Sequence, residues 1–218
     1  MRSNNETLKK ENDIPNKKYL QISIKRIMDI ILSSILIVLL LPLEIIIAIS
    51  IKIDSKGPII FRQERVGKDG NIFVIFKYRT MVNNADKLYN KEIDKESIDN
   101  FVFQDKDDPR VTKVGKFLRK TSLDELPQLF NVLIGNMSLI GPRPEIKDIA
   151  DLYDDNQRRR LCMKPGISGL AQVNGRGNLE LGETIKYDLK YIDEFNISLD
   201  IYIMFKTIAV VFKREGAY

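Results

Sequence analysis

Ile30-Ile31-Leu32-Ser33-Ser34-Ile35-Leu36-Ile37-Val38-Leu39-Leu40-Leu41-Pro42-Leu43 carries no charge, and after Glu44 the apolar run resumes through Ile51. A helix that crosses a bilayer needs roughly 20 apolar residues. The uninterrupted run here is about 14, a length more usual for buried, re-entrant or interfacial segments. Pro42 removes a backbone hydrogen bond and bends a helix near the middle of the stretch. Lys25 and Arg26 precede the run, and Lys52, Lys56, Arg62 and Arg65 follow it, so the positive-inside rule places both ends on the cytoplasmic side. The expectation is a helix that enters a membrane, bends at Pro42 and returns. A core helix of a soluble protein and an ordinary kinked span are the alternatives. No small-residue cleavage site follows, so the segment does not read as a signal peptide.

Outward from this run, Met1 to Lys18 is polar and lysine-rich and reads as a solvated tail drawn to anionic lipid. On the other side, Pro58 to Tyr78 alternates apolar and polar residues around Lys68-Asp69-Gly70, which predicts two strands joined by a turn. Asn83 to Asn100 is charged and helical in pattern. Lys113 to Lys120 has one apolar side and many basic groups, so it could lie on a phosphate-bearing membrane surface or be a plain surface helix. Gln128 to Ile134 predicts a short helix stopped by Gly135-Asn136, after which Met137 to Pro144 is extended. Asp154 to Met163 is helical in pattern and holds Arg158-Arg159-Arg160, whereas Pro165 to Asn178, with four glycines, reads as loop or bent strand. Ser198 to Lys213 predicts an amphipathic helix near the bilayer.

Composition narrows the chemistry. There is no histidine in 218 residues, which excludes imidazole acid–base catalysis, a Ser-His-Asp triad and His-ligated zinc. The lone Cys162 forms no intrachain disulfide and, with no His to activate it, reads as a packing residue. A net charge of +5 suits a protein that meets phosphates on a membrane, a nucleotide or a nucleic acid. Catalysis, if any, must run on carboxylates, Lys, Arg, Tyr or Ser.

Ser122-Leu123-Asp124-Glu125-Leu126-Pro127-Gln128 is the most informative stretch for chemistry. Pro127 is comfortable only in a first helical turn, so a helix should begin near Asp124 and Glu125. One reading is structural: Ser122 and Glu125 have capping-box spacing, and acids favour helix N-termini. The other is that free N–H groups gather phosphate there while a cation lets two carboxylates and a diphosphate share one site, so that a carboxylate attacks phosphorus. Arg143, held extended between Pro142 and Pro144, presents a guanidinium suited to phosphate or to a structural carboxylate. Arg176 lies between Gly175 and Gly177, a weaker signal. Lys77 and Arg79 share one strand face and could form a cationic wall or simply be solvated. Asp105-Lys106-Asp107 has the Asp-x-Asp form of metal-dependent glycosyltransferases, but no nucleotide-binding strand–helix unit precedes it and no P-loop is present.

These stretches together resemble the small monotopic polyprenyl-phosphate phosphoglycosyl transferases, also called bacterial sugar transferases. The resemblance runs from Lys25-Arg26-Ile27-Met28-Asp29 through Asp54-Ser55-Lys56-Gly57-Pro58, Arg62-Gln63-Glu64-Arg65-Val66-Gly67 and Lys77-Tyr78-Arg79-Thr80-Met81. It is densest from Asp108-Pro109-Arg110 to Gly141-Pro142-Arg143-Pro144, and closes with Lys164-Pro165-Gly166-Ile167-Ser168-Gly169 and Gln172-Val173-Asn174-Gly175-Arg176. Leu41 stands where many relatives have Ser, and Leu170 and Leu181 where they often have Trp.

The resemblance implies an α+β fold, mostly helical, with a short β-hairpin, a re-entrant membrane helix and interfacial amphipathic helices. Its divisions would be a polar tail at 1–20, the membrane helix at 21–55 and a cytosolic catalytic domain at 56–218, the minimal form of the family. It further implies a magnesium-dependent, two-step transfer of sugar-1-phosphate from a UDP-sugar to polyprenyl phosphate at the cytosolic face of the bacterial inner membrane. Asp124 would be the nucleophile and, with Glu125, would hold Mg2+. Arg119, Arg143 and Arg176 would contact phosphate or nucleotide, with Lys77 and Arg79 as further candidates for substrate binding. No nucleic-acid partner is implied, and a homodimer is left open. The competing readings are a membrane-bound basic scaffold and a glycosyltransferase that releases UDP.

Overall fold

The computed structural model describes residues 16–83, 85, 108–175 and 178–213. Asp105-Lys106-Asp107, Arg176, most of the charged stretch 83–100 and nearly all of the polar tail lie outside the described residues.

Helix α1 spans Asn16–Asp54 with Pro42 inside it. From Leu20 to Asp54 it is long and apolar enough to cross a membrane. Its middle is largely uncovered, with Ile35, Val38, Leu39, Leu41, Ile45 and Ile46 all exposed. Its two ends are held by the folded body. Near the start, Lys25, Asp29 and Ser33 follow one another at four-residue spacing on a single face, and all three are buried. Lys25 Nζ donates to Asp200 Oδ2 at 2.6 Å and to the Ile140 carbonyl at 2.8 Å. Asp29 Oδ1 accepts from Leu139 N at 2.9 Å and Ser138 Oγ at 3.1 Å. Near the end, Ile47 and Ile51 pack with Tyr78 and Leu118, and Asp54 Oδ2 accepts from Val114 N at 3.2 Å. Lys25 is therefore a buried ion-pair partner rather than a free flanking charge. Arg26 likewise donates to the carbonyls of Val132 and Leu133 at 2.6 and 2.9 Å.

The alternating stretch forms the expected hairpin, β1 (Ile60–Val66) against β2 (Ile72–Tyr78), antiparallel with Val66 opposite Ile72. Asp69 and Gly70 take the left-handed conformation at its tip, with φ of 57° and 79°. Phe73 and Ile75 face inward while Ile72 and Val74 face out. Helix α2 (Lys113–Thr121) carries Leu118 inward and leaves Phe117 exposed. Helix α3 (Gln128–Ile134), ended by Gly135 at φ 97°, lies on the hairpin. Val132 and Met137 join Phe73 and Ile75 in one core cluster. Asn131, fully buried, closes the free edge of β2: its Oδ1 accepts from Phe76 N at 3.0 Å and its Nδ2 donates to Val74 O at 2.7 Å.

A second, parallel sheet pairs β3 (Ser138–Ile140) with β4 (Gly166–Ser168). The expectation of loop or bent strand for Pro165 to Asn178 holds for β4 but needs correction after it, because helix α6 (Leu170–Asn174) follows directly. The glycines serve close approach rather than looseness. A Cβ at Gly166 would stand 2.1 Å from Gly141 N, and one at Gly169 2.2 Å from Gly141 O. Between the two strands lie α4 (Lys147–Ala150) and α5 (Asp155–Arg158), the latter started by an Asp154–Gln157 capping box and continued by a tighter turn through Cys162. Helices α7 (Leu181–Glu194) and α8 (Ile197–Lys213) close the body. α8 turns Asp200 and Ile203 inward and leaves Ile201, Tyr202, Phe205 and Ile208 uncovered. The architecture is α+β, mainly helical, with one long apolar helix at the start.

Asn131→Leu leaves a partly buried N–H and a partly buried C=O on β2 without partners. At about 1–3 kcal/mol for each unsatisfied group, the variant should lose roughly 2–6 kcal/mol of stability, the lower end being expected for groups only partly buried. Thermal unfolding of the detergent-solubilised protein checks this, and an unchanged midpoint would remove Asn131 from the hairpin's support.

Candidate active site

Asp124 and Glu125 sit where two helices meet. Ser122 ends α2 in the left-handed conformation, φ 57°, with its N–H donating to the Arg119 carbonyl at 3.1 Å. A 3-10 turn over Leu123–Glu125 follows, and Pro127 is the cap of α3. The capping box expected from Ser122 and Glu125 does not form. Having turned left-handed to stop α2, Ser122 makes no side-chain cap, and its Oγ is buried without a partner. A helical turn does begin beside the two acids, as a 3-10 turn, and the α-helix runs from Gln128 to Ile134 as expected.

Glu125 Oε1 accepts from Lys77 Nζ at 2.8 Å. Lys77 shares strand parity with Phe73 and Ile75, so the buried face of β2 delivers its ammonium to the site. Arg119, on α2, is held by a hydrogen bond from its Nε to Thr80 Oγ1 at 2.9 Å. Burial of Asp124 and the adjacent Glu125 charge push the Asp124 carboxyl up to about 6, while Lys77 and Arg119 pull it back. A carboxylate at that value is mostly ionised at neutral pH, so it needs no general base before attacking.

Lys77 and Glu125 line a shallow cleft together with Arg65, Arg143 and Gln172. Arg143 is held there through its backbone. Its N–H donates to Asp188 Oδ2 at 3.2 Å, its carbonyl accepts from Arg160 Nη2 at 3.1 Å, and the next carbonyl, of Pro144, accepts from Arg65 Nη1 at 3.3 Å. Arg160, 1% exposed, also pairs with Asp188 and hydrogen-bonds the Tyr153 hydroxyl. It is the brace behind the Pro142-Arg143-Pro144 stretch and no part of a basic surface run.

Of the residues singled out in the sequence, the fold brings Lys77, Arg119, Asp124, Glu125 and Arg143 to one region. Arg79 goes elsewhere. β2 stops at Tyr78, and the Arg79 guanidinium turns under the end of α1 to donate to the carbonyls of Ser55 and Lys56, each at 2.7 Å. The cationic wall of Lys77 with Arg79 therefore does not form. Three residues given no individual role in the sequence reading also matter here: Arg65, Arg160 and Asp188. Arg65 carried a local signal, an arginine on the inward face of an amphipathic strand. Burial lowers its pKa to about 10, with Glu145, Arg143 and Glu125 also acting on it.

Among the described residues no cluster of three or more His, Cys, Asp or Glu forms a closed metal site. Magnesium, however, keeps several waters and binds through one or two carboxylates together with substrate phosphates. An adjacent carboxylate pair whose mutual repulsion raises Asp124 fits that requirement.

The profile of the bacterial sugar transferase family matches residues 20–214. The chain belongs to this family. A galactosyl transferase, CpsE, from Streptococcus agalactiae is 42% identical over 92% of this chain and 44% of its own length. An undecaprenyl-phosphate galactose phosphotransferase from Salmonella typhimurium is 44% identical over 74% of this chain and 35% of its own length. The exopolysaccharide production protein ExoY of Sinorhizobium fredii, 37% identical, is matched over 76% of its length. The chain spans less than half the length of the first two of these curated relatives.

Arg143→Lys keeps the charge but cannot reproduce a planar two-donor contact with phosphate oxygens. A charge-assisted hydrogen bond is worth roughly 1.5–3 kcal/mol, so a diphosphate ligand should bind about one to two orders of magnitude more weakly. The measurement is the affinity of the folded, detergent-solubilised variant for UDP; wild-type affinity would give Arg143 a purely structural role.

Proposed function

We propose that this family member transfers a sugar-1-phosphate from a UDP-sugar to undecaprenyl phosphate and releases UMP. The carrying observation is the Asp124–Glu125 pair, ionisable at neutral pH and flanked by Lys77 and Arg119, at the edge of a cleft that also holds Arg143. Relatives named for this chemistry, including a UDP-glucose:undecaprenyl-phosphate glucose-1-phosphate transferase from Klebsiella pneumoniae at 43% identity over 91% of the chain, support the reading.

In the first step an Asp124 carboxylate oxygen attacks the sugar-bearing phosphorus. The phosphoanhydride bond breaks, its bridging oxygen leaves on UMP, and the sugar phosphate remains as an acyl phosphate on Asp124. In the second step a phosphate oxygen of the lipid attacks that phosphorus and the P–O bond to Asp124 breaks, which regenerates the carboxylate. Lys77, Arg119 and Arg143 offset the charge that accumulates on the phosphoryl oxygens. Asp124 and Glu125 would hold Mg2+, which neutralises the diphosphate when bound. The product would begin assembly of a capsule, an exopolysaccharide or a glycoprotein glycan.

The membrane reading belongs to the same proposal. Lys25 and Asp29 fasten one end of α1, and Asp54 and Arg79 fasten the other, to a single folded body. A spanning helix would separate those ends by the roughly 30 Å of a hydrocarbon core. Shared anchorage supports a helix that enters and returns, with the body and its cleft on the cytosolic face. In a Cys162→Ser background, Ser3→Cys and Ser55→Cys should both resist a membrane-impermeant thiol reagent in intact cells and react after lysis. Labelling of Ser3→Cys from outside, with Ser55→Cys protected, would mean a true span.

Because Asp124 acts before any lipid is needed, wild type given a UDP-sugar alone should release a burst of UMP and retain labelled sugar phosphate. Asp124→Asn, isosteric but a poor nucleophile, should show neither. A labelled adduct on Asp124→Asn at the wild-type rate, or turnover of the wild type only with both substrates present and no adduct, would disprove the assignment.

A further inference from the structure

Gln172, which lines the cleft, carries a hydrogen-bond acceptor that the reaction scheme above does not use. Gln172 lies in the first turn of α6, between Ala171 and Val173, both of which are buried in the body. Its side chain reaches the cleft wall near Arg65, Lys77 and Arg143. The Oε1 atom is buried and has no hydrogen-bond partner. The backbone makes room for it, since a Cβ at Gly169 would lie 2.6 Å from Gln172 Oε1. An unpaired buried acceptor destabilises the fold, a cost recovered if a ligand donates to it.

The chemistry around Gln172 indicates what the ligand offers. Lys77, Arg65 and Arg143 are donors only, and they suit the acceptor-rich diphosphate at the middle of a nucleotide sugar. The two ends of such a molecule carry donors instead: hydroxyls on the transferred sugar at one end, ribose hydroxyls and a base N–H at the other. We propose that Gln172 Oε1 accepts a hydrogen bond from one of these O–H or N–H groups and so fixes the register of the donor substrate along the cleft. This role rests on the reading of the cleft as a UDP-sugar site. It makes Gln172 a residue of ground-state recognition, distinct from the carboxylate and cations that act at phosphorus.

The test compares wild type with Gln172→Met, which fills similar space without the carbonyl. The full chain is used, with undecaprenyl phosphate and a UDP-sugar that wild type turns over. One net hydrogen bond is worth up to about tenfold in affinity. KM for the UDP-sugar should rise by about that factor while kcat holds. Competitive inhibition by UMP then assigns the end. A parallel loss of UMP affinity places the donor on the nucleotide, and unchanged UMP affinity places it on the sugar. Without nucleotide, Gln172→Met should unfold at or above the wild-type temperature, because an unpaired acceptor has been removed; a merely structural glutamine would give a lower one. Unchanged KM and unchanged UMP inhibition in the folded variant would overturn the inference alone. A wild type that UMP does not inhibit and that releases none from any UDP-sugar would overturn the cleft reading, and this inference with it.

Discussion

A lysine and an aspartate from the long apolar helix, buried where that helix meets the folded body, set the geometry of everything else. Lys25 reaches Asp200 on α8 and the Ile140 carbonyl, and Tyr191 Oη donates to the other Asp200 oxygen at 2.7 Å. Asp29 binds the backbone at the start of β3. Buried charge is costly unless paired and hydrogen-bonded, and a mismatched register would leave several such groups unpaired at once. Hydrophobic contact alone would let an apolar helix slide or rotate on its support. The polar cluster permits one position.

From that position the site follows by short steps. β3 runs directly into Gly141 and the Pro142-Arg143-Pro144 stretch, so fixing β3 against α1 fixes where Arg143 enters the cleft. Arg160 and Asp188 then hold the Arg143 backbone from behind. On the other wall, Arg26 ties the end of α3 to α1, and the beginning of α3 carries the turn with Asp124 and Glu125. Glu125 and Arg143, which line the same cleft, are thus referred to a common helix.

The elements visible in the sequence are those written in local pattern. The hairpin follows from alternation around Lys68-Asp69-Gly70, and α3 from Pro127 and Gly135. The acids of the site stood out because two carboxylates beside a helix-starting proline are chemically conspicuous in a chain without histidine. What was not visible depends on partners remote in sequence. Nothing near Lys25 announces Asp200, and nothing near Arg79 announces the end of α1. Arg160 stood in the sequence only as one of three consecutive arginines, because Asp188 and Tyr153 become its partners only in three dimensions. Local pattern also misled where one residue served two elements. Ser122 has the spacing of a cap for the helix after it, yet its backbone is committed to ending the helix before it. The glycines around Gly169 looked like loop because open chain and tight strand contact call for the same residue.

Asn131 has a consequence for how the chain is made. A hairpin with an open edge is a template onto which another strand can add, and here a side chain on α3 occupies the N–H of Phe76 and the C=O of Val74. Synthesis runs from the first residue to the last. β1 and β2 therefore emerge well before residue 131, and for that interval the edge has no guard within its own chain. The nascent protein is most exposed to strand-to-strand association during that window, and the arrival of one asparagine closes it.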